Sequence, residues 1–102
     1  MRKSTELFIS RLKEKHFPDN VSNIYLFGSE VYGIPNIFSD IDIAIVSDIS
    51  LNMFERFEVE EIIESCDPPY ECQYVYIIPG LSNLKLDVRN QVFEQGVIIY
   101  ES

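Results

Sequence analysis

Two aspartates, Asp40 and Asp42, are the residues of this chain best suited to chemistry. They flank Ile41 at the start of an apolar run that predicts a buried strand over residues 40–46. Side chains alternate along a strand, so both carboxylates are expected on one face. Two like charges at that distance repel each other, and a cation between them would relieve the repulsion. Such hard oxygen ligands suit Mg²⁺ or Mn²⁺, with a substrate phosphate completing the coordination shell.

Gly28 and Ser29 supply the complementary half of such a site, after a second apolar run at residues 24–27. A glycine at the end of a strand lets the backbone approach a ligand closely. A serine that opens a short helix directs its hydroxyl and the nearby amides toward an anion. The pattern predicts a phosphate-binding turn that faces a metal-binding pair. The structural alternative is that Asp40 only begins a strand and Asp42 pairs with a lysine.

The glycine–serine pair, ten intervening residues and the two aspartates together resemble the signature of the nucleotidyltransferase superfamily that includes DNA polymerase β. The closest likeness is to its minimal members, the MNT proteins. In these, a second glycine stands four residues after the serine, and Gly33 occupies that position here. The sequences of residues 39–46 and 96–100 are also similar to those of the family, so the resemblance covers most of the chain.

The resemblance implies a reaction and the residues that perform it. The reaction is transfer of a nucleoside monophosphate from a nucleoside triphosphate such as ATP to a hydroxyl, with two Mg²⁺ ions, or Mn²⁺, neutralising charge. Asp40 and Asp42 would be the catalytic metal ligands. The nucleotide-binding residues would be Gly28 and Ser29 at the β- and γ-phosphates, Gly33 at the turn, and Ser39 bracing the loop before Asp40.

This chain departs from the family pattern at two places. Family members carry a third carboxylate on the strand after the middle helix, where this chain has Gln73. Glu71 lies two residues earlier on the same face and could substitute as a catalytic group and metal ligand; the sequence leaves open which of the two faces the metals. Many members have arginines between the serine and the second glycine, where this chain has Glu30 and Tyr32.

The resemblance also implies a partner. Minimal members commonly pair with a small helical HEPN protein as the antitoxin of a toxin–antitoxin system, and they adenylylate a tyrosine on it. No helical substrate domain follows in this sequence, so the acceptor is expected on another chain. A rival hypothesis is a domain that has lost catalysis and neutralises its partner by binding alone. A third hypothesis, modification of a small molecule or a nucleic-acid end, stays open.

Composition limits the setting in which the chain acts. The formal net charge is −9, from 8 Lys and Arg against 17 Asp and Glu. Nucleic acids are bound mainly through Lys and Arg, so a nucleic-acid partner is not expected. The acidity favours a basic protein partner, and the alternative is that it only keeps the domain soluble. At 102 residues, the chain is expected to form one nucleotidyltransferase-like domain over 1–102. Whether it forms a homo-oligomer is left open.

The cysteines and the hydropathy of the sequence indicate the cellular compartment in which the chain is expected. Cys66 and Cys72 are the only cysteines, and they are predicted to be free thiols in a reducing cytoplasm. No apolar run reaches the length that crosses a membrane, so no membrane association is expected.

Hydrophobic periodicity predicts how the chain positions these residues. The predicted fold is α/β (α+β), a small mixed sheet with helices packed on it, in the order α-β-β-α-β-α-β. In the helix after the second strand, Phe54 is expected to be buried together with Val59 and Ile63. The predicted helices span residues 4–16, 51–65 and 83–95, and the predicted strands span residues 22–27, 40–46, 70–78 and 97–100.

Overall fold

Helices and strands alternate along the part of the chain that the computed structural model describes, residues 2–28, 40–80 and 86–102. Within those ranges the order α-β-β-α-β-α-β is as predicted. The helices are α1 (Lys3–Leu12), α2 (Met53–Glu64) and α3 (Leu86–Phe93). The strands are β1 (Val21–Phe27), β2 (Ile41–Ser47), β3 (Cys72–Ile77) and β4 (Val97–Glu101).

The strands of this described region form one mixed sheet in the order β3-β2-β1-β4. Strand β1 runs antiparallel to both β2 and β4, whereas β2 and β3 are parallel. A parallel pair needs a crossover connection, and α2 supplies it between β2 and β3. The predicted class, a small mixed sheet with helices packed on it, is confirmed.

The two faces of the sheet pack against different helices. On one face, Ile43 and Ile45 of β2 join a core that contains Leu12 of α1 and Ile63 of α2. On the other face, the smaller core contains Val92 of α3. Asp42 alternates with Ile41 and Ile43 in β2, so it lies on the face that α3 covers. The remaining members of this second core are Phe27, Ala44, Val46 and Ile77.

Helix α2 differs from the prediction at its start and on its outer face. It begins after Asn52, whose side-chain oxygen accepts a 2.8 Å hydrogen bond from the Glu55 N–H, while the Glu55 carboxylate accepts a 3.1 Å bond from the Asn52 N–H. The predicted burial of Phe54 is wrong, because its side chain is 86 % exposed. The buried residues are Val59 and Ile63, four apart, and Phe54 does not share their side of the helix.

Helix α1 is shorter than predicted and ends at Leu12. Beyond it, the Lys15 N–H donates a 3.0 Å hydrogen bond to the Leu12 carbonyl, three residues back. Such a bond tightens the last turn and satisfies a carbonyl that the ending helix leaves unpaired. The chain from Lys13 to His16 is exposed, so no apolar side chain holds a further helical turn on the core.

The prediction that both cysteines are free thiols is confirmed, since Cys66 and Cys72 are both buried and unbridged. Burial raises the pKa of the Cys72 thiol to about 12, which favours its protonated form. Among the helices of the described residues, none combines the length and the hydropathy that crossing a membrane requires.

Candidate active site

The two predicted metal ligands lie at the beginning of β2. Asp42 is the second residue of the strand and Asp40 directly precedes it, and both are partly exposed. Strand pairing places Asp42 between two neighbours: Phe27 is opposite on β1 and Gln73 is opposite on β3. The fold therefore holds Asp42 at the middle of the sheet with its carboxylate on the α3 face.

Gly28 directly follows β1 and lies against Asp42. Its φ angle of +83° lies in the left-handed region, which side-chain-bearing residues rarely adopt. A Cβ atom on Gly28 would lie 3.0 Å from Asp42 Cγ and 3.2 Å from Asp42 Cβ, and it would overlap Asp42 Oδ2. Glycine is needed here for its conformation and for the space that the carboxylate occupies. The glycine of the predicted phosphate-binding turn therefore lies against one carboxylate of the predicted metal-binding pair.

The charge on Asp42 is unfavourable in this setting. Burial, in the first place, and repulsion from Asp40, in the second, raise the pKa of the Asp42 carboxyl above its ordinary value. Carboxylate oxygens held close together by the backbone are the donor type that Mg²⁺ and Mn²⁺ prefer. Asp40 and Asp42 therefore fit a divalent cation, which would neutralise the repulsion between them.

The third carboxylate of the family pattern is not formed at the level of Asp42. In the parallel pair, Gln73 lies opposite Asp42, and the Glu71 carbonyl accepts a 2.9 Å hydrogen bond from the Ile41 N–H. Both Glu71 and Gln73 are exposed, on the side of β3 opposite the buried Cys72. Across residues 2–28, 40–80 and 86–102, no three His, Cys, Asp or Glu side chains come close enough to hold a metal ion.

The proposed role of Glu71 as catalytic group and metal ligand stays a prediction. In the parallel register, Glu71 lies at the level of Asp40, two residue pairs away from Asp42, with the Ile41–Cys72 pair between them. The residue nearest Asp42 on β3 is an amide, which can donate an oxygen to a metal but cannot accept a proton from a hydroxyl.

Three of the predicted nucleotide-binding residues, Ser29, Gly33 and Ser39, lie outside the described residues, as do Glu30 and Tyr32. Their roles stay predictions. Within the described part of the chain, the contact of Gly28 with Asp42 is the site feature that the sequence did not reveal. Its only sequence signal is the glycine at the end of an apolar run.

Comparison with known families and structures gives matches of sequence and of fold. A family model described as polymerase beta, nucleotidyltransferase, matches residues 8–102, nearly the whole chain. A search of curated protein sequences found no significant match.

Solved structures of toxin–antitoxin complexes share the fold. One that contains AMP-PNP is 27% identical, covers 93% of this chain and 72% of that chain, and has a TM-score of 0.61. A variant of the MntA–HpeT toxin–antitoxin complex is 28% identical, with coverage of 95% and 72% and a TM-score of 0.60. A complex of the tri-AMPylated Shewanella oneidensis HEPN toxin with MNT antitoxin is 24% identical, with coverage of 83% and 60% and a TM-score of 0.51, a likeness of fold alone.

Replacing Asp42 by asparagine is expected to stabilise the metal-free protein at neutral pH, because it removes a partly buried charge and its repulsion from Asp40. The raised folded-state pKa means that the fold binds the proton more tightly than the unfolded chain does. The penalty is therefore fully present at neutral pH, fades as the pH falls through the raised folded-state pKa, and is absent below the ordinary carboxyl pKa of 3.8. Thermal unfolding at pH 7 should show a rise in Tm of roughly 2–4 °C, and the rise should vanish near pH 3.

The matched control is Glu58→Gln, which removes an exposed carboxylate on α2 and should leave the Tm almost unchanged. Millimolar Mg²⁺ should raise the Tm of the wild type and not that of Asp42→Asn. A lower Tm for Asp42→Asn in metal-free buffer at pH 7 would show that the carboxylate supports the fold.

Proposed function

The chain belongs to the polymerase beta nucleotidyltransferase family, and we propose that it transfers AMP from ATP to a tyrosine hydroxyl of a HEPN-type toxin protein, thereby acting as an antitoxin. The observation that carries the proposal is the pair Asp40 and Asp42 at the start of β2, with Gly28 lying against Asp42. Two carboxylates that repel each other are suited to a metal-bound triphosphate.

The neighbouring structures support the choice of nucleotide and partner. One toxin–antitoxin complex of the same fold contains AMP-PNP, an ATP analogue. In another, an MNT antitoxin is bound to a HEPN toxin that carries three AMP groups. The net charge of −9 further favours an acceptor on a protein over one on a nucleic acid.

The reaction places a defined task on each residue. A bond forms between the tyrosine oxygen and the α-phosphorus of ATP, the bond to the β-phosphate oxygen breaks, and AMP-tyrosine and pyrophosphate result. Asp40 and Asp42 would hold Mg²⁺ at the phosphates, where it neutralises the charge that develops in the transfer. Gly28 leaves space for the Asp42 carboxylate, and Ser29, Gly33 and Ser39 would bind the nucleotide.

Removal of the tyrosine proton is the task for which this site is least equipped. Glu71 would accept that proton and complete the metal shell, since the residue opposite Asp42 is the amide of Gln73. The same observation supports a second candidate function, in which the domain has weakened catalysis and neutralises its partner by binding alone. Metal-dependent ATP binding is expected under the first function and not under the second.

The proposed reaction is tested by intact-protein mass spectrometry. The purified chain, its HEPN-type partner, ATP and Mg²⁺ are mixed, and the partner is expected to gain the mass of one or more AMP groups. The Asp40→Asn/Asp42→Asn variant should leave the partner unmodified and still bind it. If wild type adds no AMP to the partner although the two proteins form a complex, the binding-only function is the correct one.

Gln73→Glu should increase the transfer rate, because it places a third carboxylate on β3 opposite Asp42. The expected increase is at least about tenfold, which is below the roughly hundredfold or more typical of a well-positioned general base. Mg²⁺ affinity, measured by calorimetry in the presence of AMP-PNP, should rise as well. The paired variant Glu71→Gln should lower both quantities. If Gln73→Glu weakens Mg²⁺ binding, the side chain at this position does not face the metals.

A further inference from the structure

The outer face of α2 carries a group of exposed apolar side chains, Met53, Phe54 and Phe57, here called the α2 patch. Their exposed fractions are 84 %, 86 % and 66 %, the largest of any large apolar side chains in the described residues. Ile49, in the loop before the helix, follows at 56 %. Exposed aromatic residues concentrated in this way are typical of a surface that binds a partner.

The α2 patch is not needed to hold the helix on the sheet. Val59 and Ile63 make the buried contacts of α2, and the hydrogen bonds of Asn52 fix its start. Phe54 and Phe57 are three residues apart and Met53 and Phe57 are four apart, so the three side chains lie together on the outer surface. The three side chains of the α2 patch are therefore exposed in the folded domain, and its core does not require them.

Charge determines which partner fits this surface. Glu58 and Glu61 are exposed and continue the stripe of Phe54 and Phe57 by one turn. The single basic residue of α2, Arg56, lies over the Tyr76 ring, 4.6 Å from its centroid. The patch is therefore bordered by negative charge, on a chain of net charge −9. A second copy of the chain, a nucleic acid and an anionic membrane would all be repelled.

The α2 patch is also separate from the candidate active site. Asp42 lies near the start of β2 on the face that α3 covers, whereas α2 follows the end of β2 and packs on the opposite face. The length of β2 between Asp42 and Ser47 corresponds to about 17 Å. A protein bound to the patch therefore leaves the two aspartates accessible.

We propose that the α2 patch docks a protein surface in which an apolar pocket is bordered by Lys and Arg, and that the HEPN-type partner carries this surface. The identity of the partner rests on the proposed function. Docking through Phe54 and Phe57 then holds the partner whether or not AMP is transferred, since the contact does not involve Asp40 or Asp42.

The test measures binding of the purified HEPN-type partner by calorimetry without ATP. Phe54→Gln/Phe57→Gln should raise the Kd by roughly tenfold or more, because buried aromatic residues dominate interface energies. The matched control, Leu7→Gln/Ile98→Gln, changes two apolar residues that are exposed on other elements and should leave the Kd unchanged. Thermal unfolding of each variant verifies that the fold is retained.

A second pair of variants tests the charge. Glu58→Lys/Glu61→Lys should weaken binding, and the weakening should diminish at high salt, whereas Glu94→Lys/Glu101→Lys on other elements should have little effect. The titrations are repeated with the Asp40→Asn/Asp42→Asn variant, which lacks the proposed metal ligands and keeps the α2 patch. This comparison separates docking from catalysis. Binding that is lost only with the patch variants supports the proposal even if no AMP is transferred.

Three results would overturn the proposal. The first is an unchanged Kd for Phe54→Gln/Phe57→Gln. The second is failure of the wild-type chain to bind the HEPN-type protein. The third is a wild-type dimer in sedimentation that the same double variant converts to a monomer, which would make a second copy the occupant of the patch.

Discussion

The candidate site depends on one close approach, between the backbone of Gly28 and the carboxylate of Asp42. The end of β1 and the start of β2 meet there, and the chain turns through a positive φ that suits glycine. The register that creates this approach is fixed by apolar neighbours, since Leu26 is opposite Ile43 and both are fully buried. A slip of one residue would turn Ile43 toward α3 and Asp42 into the larger core.

The placement of Asp42 beside Asp40 and the apolar core lowers the stability of the fold. A carboxylate at the edge of an apolar core, next to a second carboxylate, raises the free energy of the folded chain. The rest of the sheet compensates through apolar contacts on both faces, from Ile41 and Ile45 on one side and Ala44 and Val46 on the other. A bound cation would offset this cost, and local departures from ideal packing of this kind are common at functional sites.

Sequence patterns predicted the order of the helices and strands and the position of Asp40 and Asp42 at the start of one strand, because alternation and periodicity depend on local geometry. They failed where a tertiary contact decides the outcome. Phe54 was expected in the core because it is apolar, but the turn of the helix places it outside. The position of Gln73 opposite Asp42 follows from the parallel register with β3, which residues far apart in the sequence determine.

The most direct measurement is a calorimetric titration of ATP into the chain, with and without Mg²⁺, for wild type and for Asp40→Asn/Asp42→Asn. The account predicts ATP binding by wild type that requires Mg²⁺ and is lost in the double variant. Both proteins should be folded, since the substitutions remove repulsion and leave the core intact. Equal ATP binding by the two proteins, or no binding by wild type in the presence of Mg²⁺, would contradict the claim that these carboxylates form a metal–nucleotide site.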